Sequence, residues 1–326
     1  MLSIGVDLGG TNLRAGIVDT VAGRVLSSAR GPTYAEEGPP AVIERMAALI
    51  NQAISEARLA TDEIVAIGIG VPGLYDPATN AVRFLPNLPT TWLDVPLGRE
   101  IELRVGRPTA LVNDARAFVL AEATFGAGRG ANIVIGLTLG TGIGGGIVIG
   151  GQIVLGHDGS AGEFGHHIID LNGPRCGCGS RGCLEAHASG PAIATMGIKA
   201  VRQGRTTVLR DLIDGDLNRM TPEVIVRAAE MGDPVAREIM DEAGLYLGIG
   251  VANLVKIFSP DVVVIGGGVS QAGDWLLKSI RQVVSRHSSV TYLDRVSITL
   301  AALGGDAGII GAALWATRVA QSRKRL

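Results

Sequence analysis

Leu137-Thr138-Leu139-Gly140-Thr141-Gly142-Ile143-Gly144-Gly145-Gly146-Ile147-Val148-Ile149 is the stretch that decides the fold. It holds a formal G-x-G-x-x-G at 140, 142 and 145, the spacing of a dinucleotide-binding turn. That turn needs a helix straight after the glycines, whereas Ile147-Val148-Ile149 is strand material. The segment therefore reads as strand, glycine turn over 140–146, strand, with Thr138, Gly140, Thr141 and Gly142 forming a phosphate cradle between strands. No Asp, Glu, Lys or Arg occurs from Gly130 to His157, a span long enough to cross a bilayer. Glycine clusters break it into short β-branched runs, so buried strands are expected rather than a membrane helix.

The chain opens on the same device. Residues 2–8 read as a strand, Gly9-Gly10-Thr11 as a turn, Leu13–Asp19 as the hairpin partner, and residues 24–29 as a third strand. A helix follows over 39–59, where Val42, Met46, Leu49 and Ala53 share one face. Strand 64–71 ends in Pro72-Gly73, strand 108–113 ends at Asp114, and residues 115–123 are helical. The second half repeats the pattern with strands 133–139, 147–149 and 153–155. A loop-rich stretch over 156–189 follows, then helices to about 258, strand 261–265 and a helix over 307–319. Tandem units of this kind describe an internally duplicated α/β protein with its site in the cleft between the halves. The boundary is placed near 113. Residues 1–113 form a small lobe joined by the C-terminal helix 307–326, and 114–306 form a large one.

Composition narrows the function. The 326 residues suit two domains, and 47% hydrophobic against 18% charged residues exclude disorder. Glycine, at 47 residues, is about twice its usual ~7% share, with neither a collagen period nor a linker run. A net charge of −2 gives no general pull toward nucleic acid or anionic membrane, and 4% aromatics make no base-stacking platform. All 3 cysteines fall between 176 and 183, which points to a metal in a reducing compartment rather than to disulfides. Without a leader pattern before Ile4, a cytoplasmic protein is expected.

Five motifs carry chemistry. Asp7-Leu8-Gly9-Gly10-Thr11-Asn12-Leu13-Arg14 can turn amides toward a phosphate, with Thr11 and Arg14 as further donors and Asp7 placed to hold Mg²⁺ through water. The plain alternative is a hairpin turn. The 137–146 segment is the second cradle. Gly266-Gly267-Gly268, after a strand, clears space where a flat ring can lie, or simply packs a helix close to a strand. His166, Cys176, Cys178 and Cys183 match a Cys₃His structural zinc site, with His167 and His187 as competing ligands. Asn113-Asp114, at a strand end and helix start, offers either a catalytic base or a helix cap.

In this order, these features resemble the ROK family (repressors, open reading frames and sugar kinases) over essentially the whole chain. Most diagnostic are Gly165-His166 and, nine residues on, Cys176-Gly177-Cys178-Gly179-Ser180-Arg181-Gly182-Cys183-Leu184-Glu185. Gly70-Val71-Pro72-Gly73 and Pro86-Asn87-Leu88 look like the family's sugar-facing loops. The resemblance implies a two-lobed actin/hexokinase-like (ribonuclease H-like) ATPase fold with duplicated βββαβα units. ATP, Mg²⁺ and structural Zn²⁺ follow from it, as does a homodimer or dimer of dimers formed through the large lobe. It implies Asp114 as general base, and Pro72, Gly73, Asn87, Asn113, Asp114, Glu163, His166 and Glu185 around the sugar. ATP would be held by Asp7, Gly9, Gly10, Thr11, Asn12, Arg14, Thr138, Gly140, Thr141, Gly142, Gly266, Gly267 and Gly268. His166 would bridge metal and sugar sites. Within the family, glucose kinases carry the set Glu163-Phe164-Gly165-His166, so phosphorylation of glucose at its 6-hydroxyl is the activity implied. N-acetylmannosamine kinase, fructokinase and other hexokinases remain alternatives, with ATP or polyphosphate as donor. A repressor would need a helix-turn-helix ahead of Asp7, where six residues stand.

Overall fold

Ile4, Val6 and Leu8 of β1 (Leu2–Leu8) and Leu13, Ala15 and Ile17 of β2 (Asn12–Asp19) are fully buried, and the strands pair antiparallel from Leu2↔Asp19 to Leu8↔Leu13. This hairpin seeds the first sheet of the structure, a computed structural model that describes residues 1–86, 88–287 and 290–323. β3 (Arg24–Pro32) lies at its edge and alternates exposed with partly covered side chains. Next come α1 (Pro39–Glu56), β4 (Ile64–Val71), the small hairpin β5 (Leu74–Asp76) and β6 (Ala81–Phe84), α2 (Leu97–Val105), β7 (Thr109–Asn113) and α3 (Asp114–Phe125).

The later chain holds β8 (Ile133–Leu139), β9 (Ile143–Ile149), β10 (Gln152–Ile153), α4 (Leu184–Ala188), α5 (Gly190–Arg202), α6 (Leu209–Leu212) and α7 (Pro222–Glu230). It continues with α8 (Pro234–Phe258), β11 (Val262–Gly266), α9 (Asp274–His287), β12 (Ser297–Leu300) and α10 (Ala307–Arg323). Thr221 and Asp233 cap α7 and α8 by accepting from Val224 and Ala236 amides, with proline at the first helical position of each.

The two five-stranded sheets run β3-β2-β1-β4-β7 and β10-β9-β8-β11-β12. Each places its first three strands in reverse order and then adds two parallel strands, so the duplication expected from the sequence is present in the topology. One expectation needs correcting: Gly144, Gly145 and Gly146 are not part of the turn but lie inside β9. A Cβ at Gly146 would sit 3.1 Å from Val119, so glycine lets this strand approach α3.

Glycine also explains how α10 reaches the first sheet. A Cβ at Gly5 would fall 1.9 Å from the Ile309 carbonyl oxygen, and one at Gly68 1.8 Å from that of Ala312. The helix lies directly on β1 and β4 because neither residue carries a side chain. By compactness the chain divides into one unit of Met1–Gly130, Gly146–Gly162 and Ala302 onward, and another of Ala131–Gly145 and Glu163–Ala301. The C-terminal helix belongs to the first unit, as does α3, beyond the boundary read at 113. Among the described residues no helix is long and apolar enough to cross a membrane.

Candidate active site and metal centre

Parallel pairing aligns the carboxyl ends of the first sheet's strands: Asp7 stands opposite Gly70, and Val71 opposite Asn113. Open α/β sheets bind ligands beyond such ends. The turn after β1 is pinned from within the protein. Gly9 N–H donates to Asn12 O (2.9 Å), Thr33 Oγ1 to Gly9 O (2.7 Å) and Thr33 N–H to Thr11 O (2.8 Å). With these carbonyls engaged, the exposed tip at Gly10, Thr11 and Asn12 offers amides and polar side chains. Burial pushes the Asp7 carboxyl up from its ordinary range, against the pull of Arg14. Arg14 itself is committed, donating to Gly305 O (2.9 Å) and Asp306 (2.6 Å).

Of the two roles that the sequence left open, the helix cap falls to Asn113. Asn113 is the cap of α3: its Oδ1 accepts from Arg116 N–H (3.2 Å), and its Nδ2 donates to Gly73 O (3.3 Å), tying the cap to the Pro72-Gly73 loop. Asp114 is the first helical residue, and its Oδ1 accepts from the adjacent Ala115 N–H (2.7 Å). Asn113, not Asp114, is therefore the side chain that caps α3. Gly73 must lack a side chain, because a Cβ would fall 2.2 Å from Phe84 O. Asn87 lies outside the described residues.

In the second unit, Gly266 pairs with Thr138, which sets the 140–142 and 266–268 turns at the same end of β8 and β11. Gly140 N–H donates to Gly142 O (2.9 Å), closing a short turn with Thr141 exposed at its tip. Gly267 has φ +88°, and a Cβ there would lie 2.3 Å from Leu139 O. Beyond Gly268, a cavity of about 140 Å³ is lined by Val269 and Gln271 and, across from them, by Val226 and Arg227 of α7. The α7 wall has no local sequence signal, because it comes from about 40 residues upstream.

His166, Cys176, Cys178 and Cys183 gather with their ligand atoms all within 4.8 Å of one another. Cys178 Sγ lies 3.7 Å from Cys183 Sγ, and Cys176 Sγ 3.6 Å from His166 Nδ1. Zinc bonds of about 2.3 Å to sulfur and ~2.0–2.1 Å to nitrogen in a tetrahedron require edges of about 3.8 and 3.6 Å, so the donor set fits the ion. Burial pushes the Cys176 thiol up to about 12 and raises Cys183, whereas the Ser180 amide holds Cys178 down. The competing imidazoles point elsewhere. His167 Nδ1 meets Phe164 O, and His187 is buried with its ring 4.0 Å from Tyr246.

Glu185 joins this cluster to the second turn. Its Oε2 accepts from Ile143 N–H (2.9 Å), while its Oε1 stands 3.7 Å from Cys176 Sγ and 4.0 Å from His166 Nδ1. Glu163 is exposed just before Phe164. Asp7, Gly73, Asn113 and Asp114 therefore gather in the first unit, and Thr138, Glu163, His166, Glu185 and the glycine turns in the second.

The ROK family profile matches residues 3–319. A glucokinase of Thermotoga maritima is 40% identical over 310 residues, spanning 95% of either chain. Among solved structures, a ROK hexokinase of Thermus thermophilus superposes with a TM-score of 0.84 at 37% identity, over 99% of this chain and 100% of that one. A ROK glucokinase of Streptomyces griseus, crystallised with glucose and AMPPNP, gives 0.83 at 37% identity over 98% and 100%.

Proposed function

The chain belongs to the ROK family, and on that footing we propose that it transfers the terminal phosphoryl group of Mg-ATP to the 6-hydroxyl of glucose. The observation that carries the reading is the place of Asp114: a carboxylate on the first turn of α3, at the carboxyl end of β7, beside the Asn113 cap that ties the helix to the Gly73 loop. Likeness over nearly the full chain to the Streptomyces griseus glucokinase, crystallised with glucose and a nucleotide analogue, supports the substrates.

Phosphoryl transfer needs positioning and charge stabilisation more than covalent help. The amides of Gly9–Asn12 and Gly140–Gly142 are assigned to the phosphates, and Asp7 to Mg²⁺ through water. Asp114 takes the proton of the attacking hydroxyl. Gly73, Asn113, Glu163 and His166 are assigned to the sugar hydroxyls, and Glu185 retains lone pairs for one more. The cavity between α7 and Gly268–Ala272 is the proposed seat of the base. Zinc on His166, Cys176, Cys178 and Cys183 would be structural, since four protein ligands close its shell. A homodimer is the assembly proposed from the family resemblance, to be read by sedimentation.

The test is a coupled assay with ATP, and separately with polyphosphate, over glucose, mannose, fructose and N-acetylmannosamine. Glucose is expected to have the highest kcat/KM. A tenfold advantage for any other sugar, about 1.4 kcal/mol in transition-state binding, overturns the choice of glucose.

A further inference from the structure

Glu122 is fully buried eight residues beyond Asp114 on α3, and its carboxylate meets only backbone amides among its described partners. Oε1 accepts from Ala302 N–H (3.0 Å) and Leu303 N–H (2.8 Å), and Oε2 from Ala127 N–H (2.8 Å) and Ala302 N–H (3.1 Å). Its carbonyl accepts from Gly126 and Gly128 N–H, each at 3.0 Å. A Cβ at Gly126 would lie 2.1 Å from Oε2, so glycine is required there for the carboxylate to fit. A buried carboxyl group satisfied by several amides, with no basic side chain among its described partners, is costly to place and strongly geometry-defining once placed.

What it grips is the segment by which the chain re-enters the first unit at Ala302. Arg14 holds the same segment a few residues on, through Gly305 O and Asp306. The segment leads straight into α10, whose first turns are wedged into the site. A Cβ at Gly308 would stand 3.6 Å from Asp7 Oδ2, and one at Gly311 only 1.8 Å from Ala117 O of α3. Glu122 thus binds the segment that leads into α10, and α10 lies against both Asp7 and the helix that starts with Asp114.

We propose that Glu122 is a positioning residue for phosphoryl transfer, its carboxylate locking segment 302–306 so that α3 and α10 present Asp114 and flank Asp7 in reactive register. This rests on the kinase reading given above. Glu122 touches neither substrate in that reading; it acts through the two helices.

The test is a double-mutant cycle between Glu122→Gln and Asp114→Asn, with single-turnover rates at enzyme excess keeping the slow background measurable. Glu122→Gln alone is expected to lower kcat on the order of tenfold to a hundredfold per folded enzyme, with KM for glucose and ATP within about twofold. In the Asp114→Asn background the same change should have little effect, because the group it positions is gone. Hydrogen exchange should quicken at Ala127, Ala302 and Leu303, a readout independent of turnover. If Glu122→Gln does not fold, Glu122→Asp, which keeps the charge but withdraws it by one methylene, enters the same cycle. An unchanged kcat, or an equal loss in both backgrounds, overturns the proposal. A wild type that phosphorylates none of the sugars overturns the kinase reading instead, and exchange then decides whether the lock exists.

Discussion

β1 and β8 are both seven residues long, and each carries a polar residue one place before the end: Asp7 in the first, Thr138 in the second. Each of these residues stands opposite a glycine of the next parallel strand, Gly70 and Gly266. The two sheets share an architecture and differ in the chemistry they present. The first ends in carboxylates and an amide, at Asp7 and Asn113-Asp114; the second ends in a hydroxyl and in glycine turns that present backbone. Duplication supplied two equivalent sheet ends; under the proposed function both glycine turns meet phosphate, and side-chain identity adds proton and metal handling to the first sheet alone.

The division breaks most visibly at Asp114. Asp114→Asn removes the proposed base while leaving the Asn113 cap intact, so kcat should fall by about 10²–10⁴, with glucose binding by calorimetry within tenfold. A loss of only a few fold would show that the first sheet's carboxylate is not the proton acceptor.

Next in size is the metal centre. Cys178→Ser should cut zinc affinity on the order of a hundredfold or more, read by elemental analysis after dialysis, and weaken glucose binding, since Glu185 leans on Cys176 and His166. His167→Ala should keep one zinc per chain, because its Nδ1 is taken by Phe164 O. Retained zinc in the serine variant would remove Cys178 from the ligand set.

Smaller effects separate glycines that shape the second sheet's turns from glycines that leave room for ligand. Gly267→Ala imposes a positive φ on a residue with a side chain and drives its Cβ into Leu139 O. That backbone region alone costs on the order of 1–3 kcal/mol for a residue with a side chain, so the melting temperature should drop. Gly140→Ala meets nothing within 4 Å. Its stability should not change, while KM for ATP rises severalfold if phosphate occupies that space. An unchanged KM would take the second turn out of the nucleotide site.

Much of this was legible in sequence because it rests on local signals. β1, β4 and β8 match their expected limits, since apolar β-branched runs ended by glycine or proline leave little freedom. The starts of α7 and α8 were written in Thr221-Pro222 and Asp233-Pro234. What escaped was long-range. Gly144–Gly146 looked like turn residues because strand glycines that admit a neighbouring helix have the same composition as a loop. The β5–β6 hairpin and α2 are short and lack strong periodicity. No local motif announces the bonds of Arg14 to Gly305 and Asp306, 291 and 292 residues away. Glu122 and the α7 wall of the base cavity likewise depend on partners that no local motif announces.

The smallest expected effect tests the Asp7–Thr138 difference itself. Burial raises the Asp7 carboxyl above its ordinary value of 3.8 in the folded protein. As pH rises through that ordinary value the unfolded chain releases its proton first, so stability is lost between there and the raised folded value and remains lower at neutral pH. Asp7→Asn removes the penalty. Without nucleotide its melting temperature at neutral pH should exceed that of wild type by a few degrees, with the gap closing below about pH 4. Thr138→Ala, which removes no charge, should show no such pH-dependent gap. Mg-ATP should reverse the order at Asp7, because a ligand that engages the ionised carboxylate stabilises only the wild type through it. If Asp7→Asn is no more stable than wild type at neutral pH, the cost of holding a carboxylate at the end of β1 is absent. If Mg-ATP stabilises both proteins equally, Asp7 has no part in holding the metal, and the two strand ends do not differ in the way their side chains suggest.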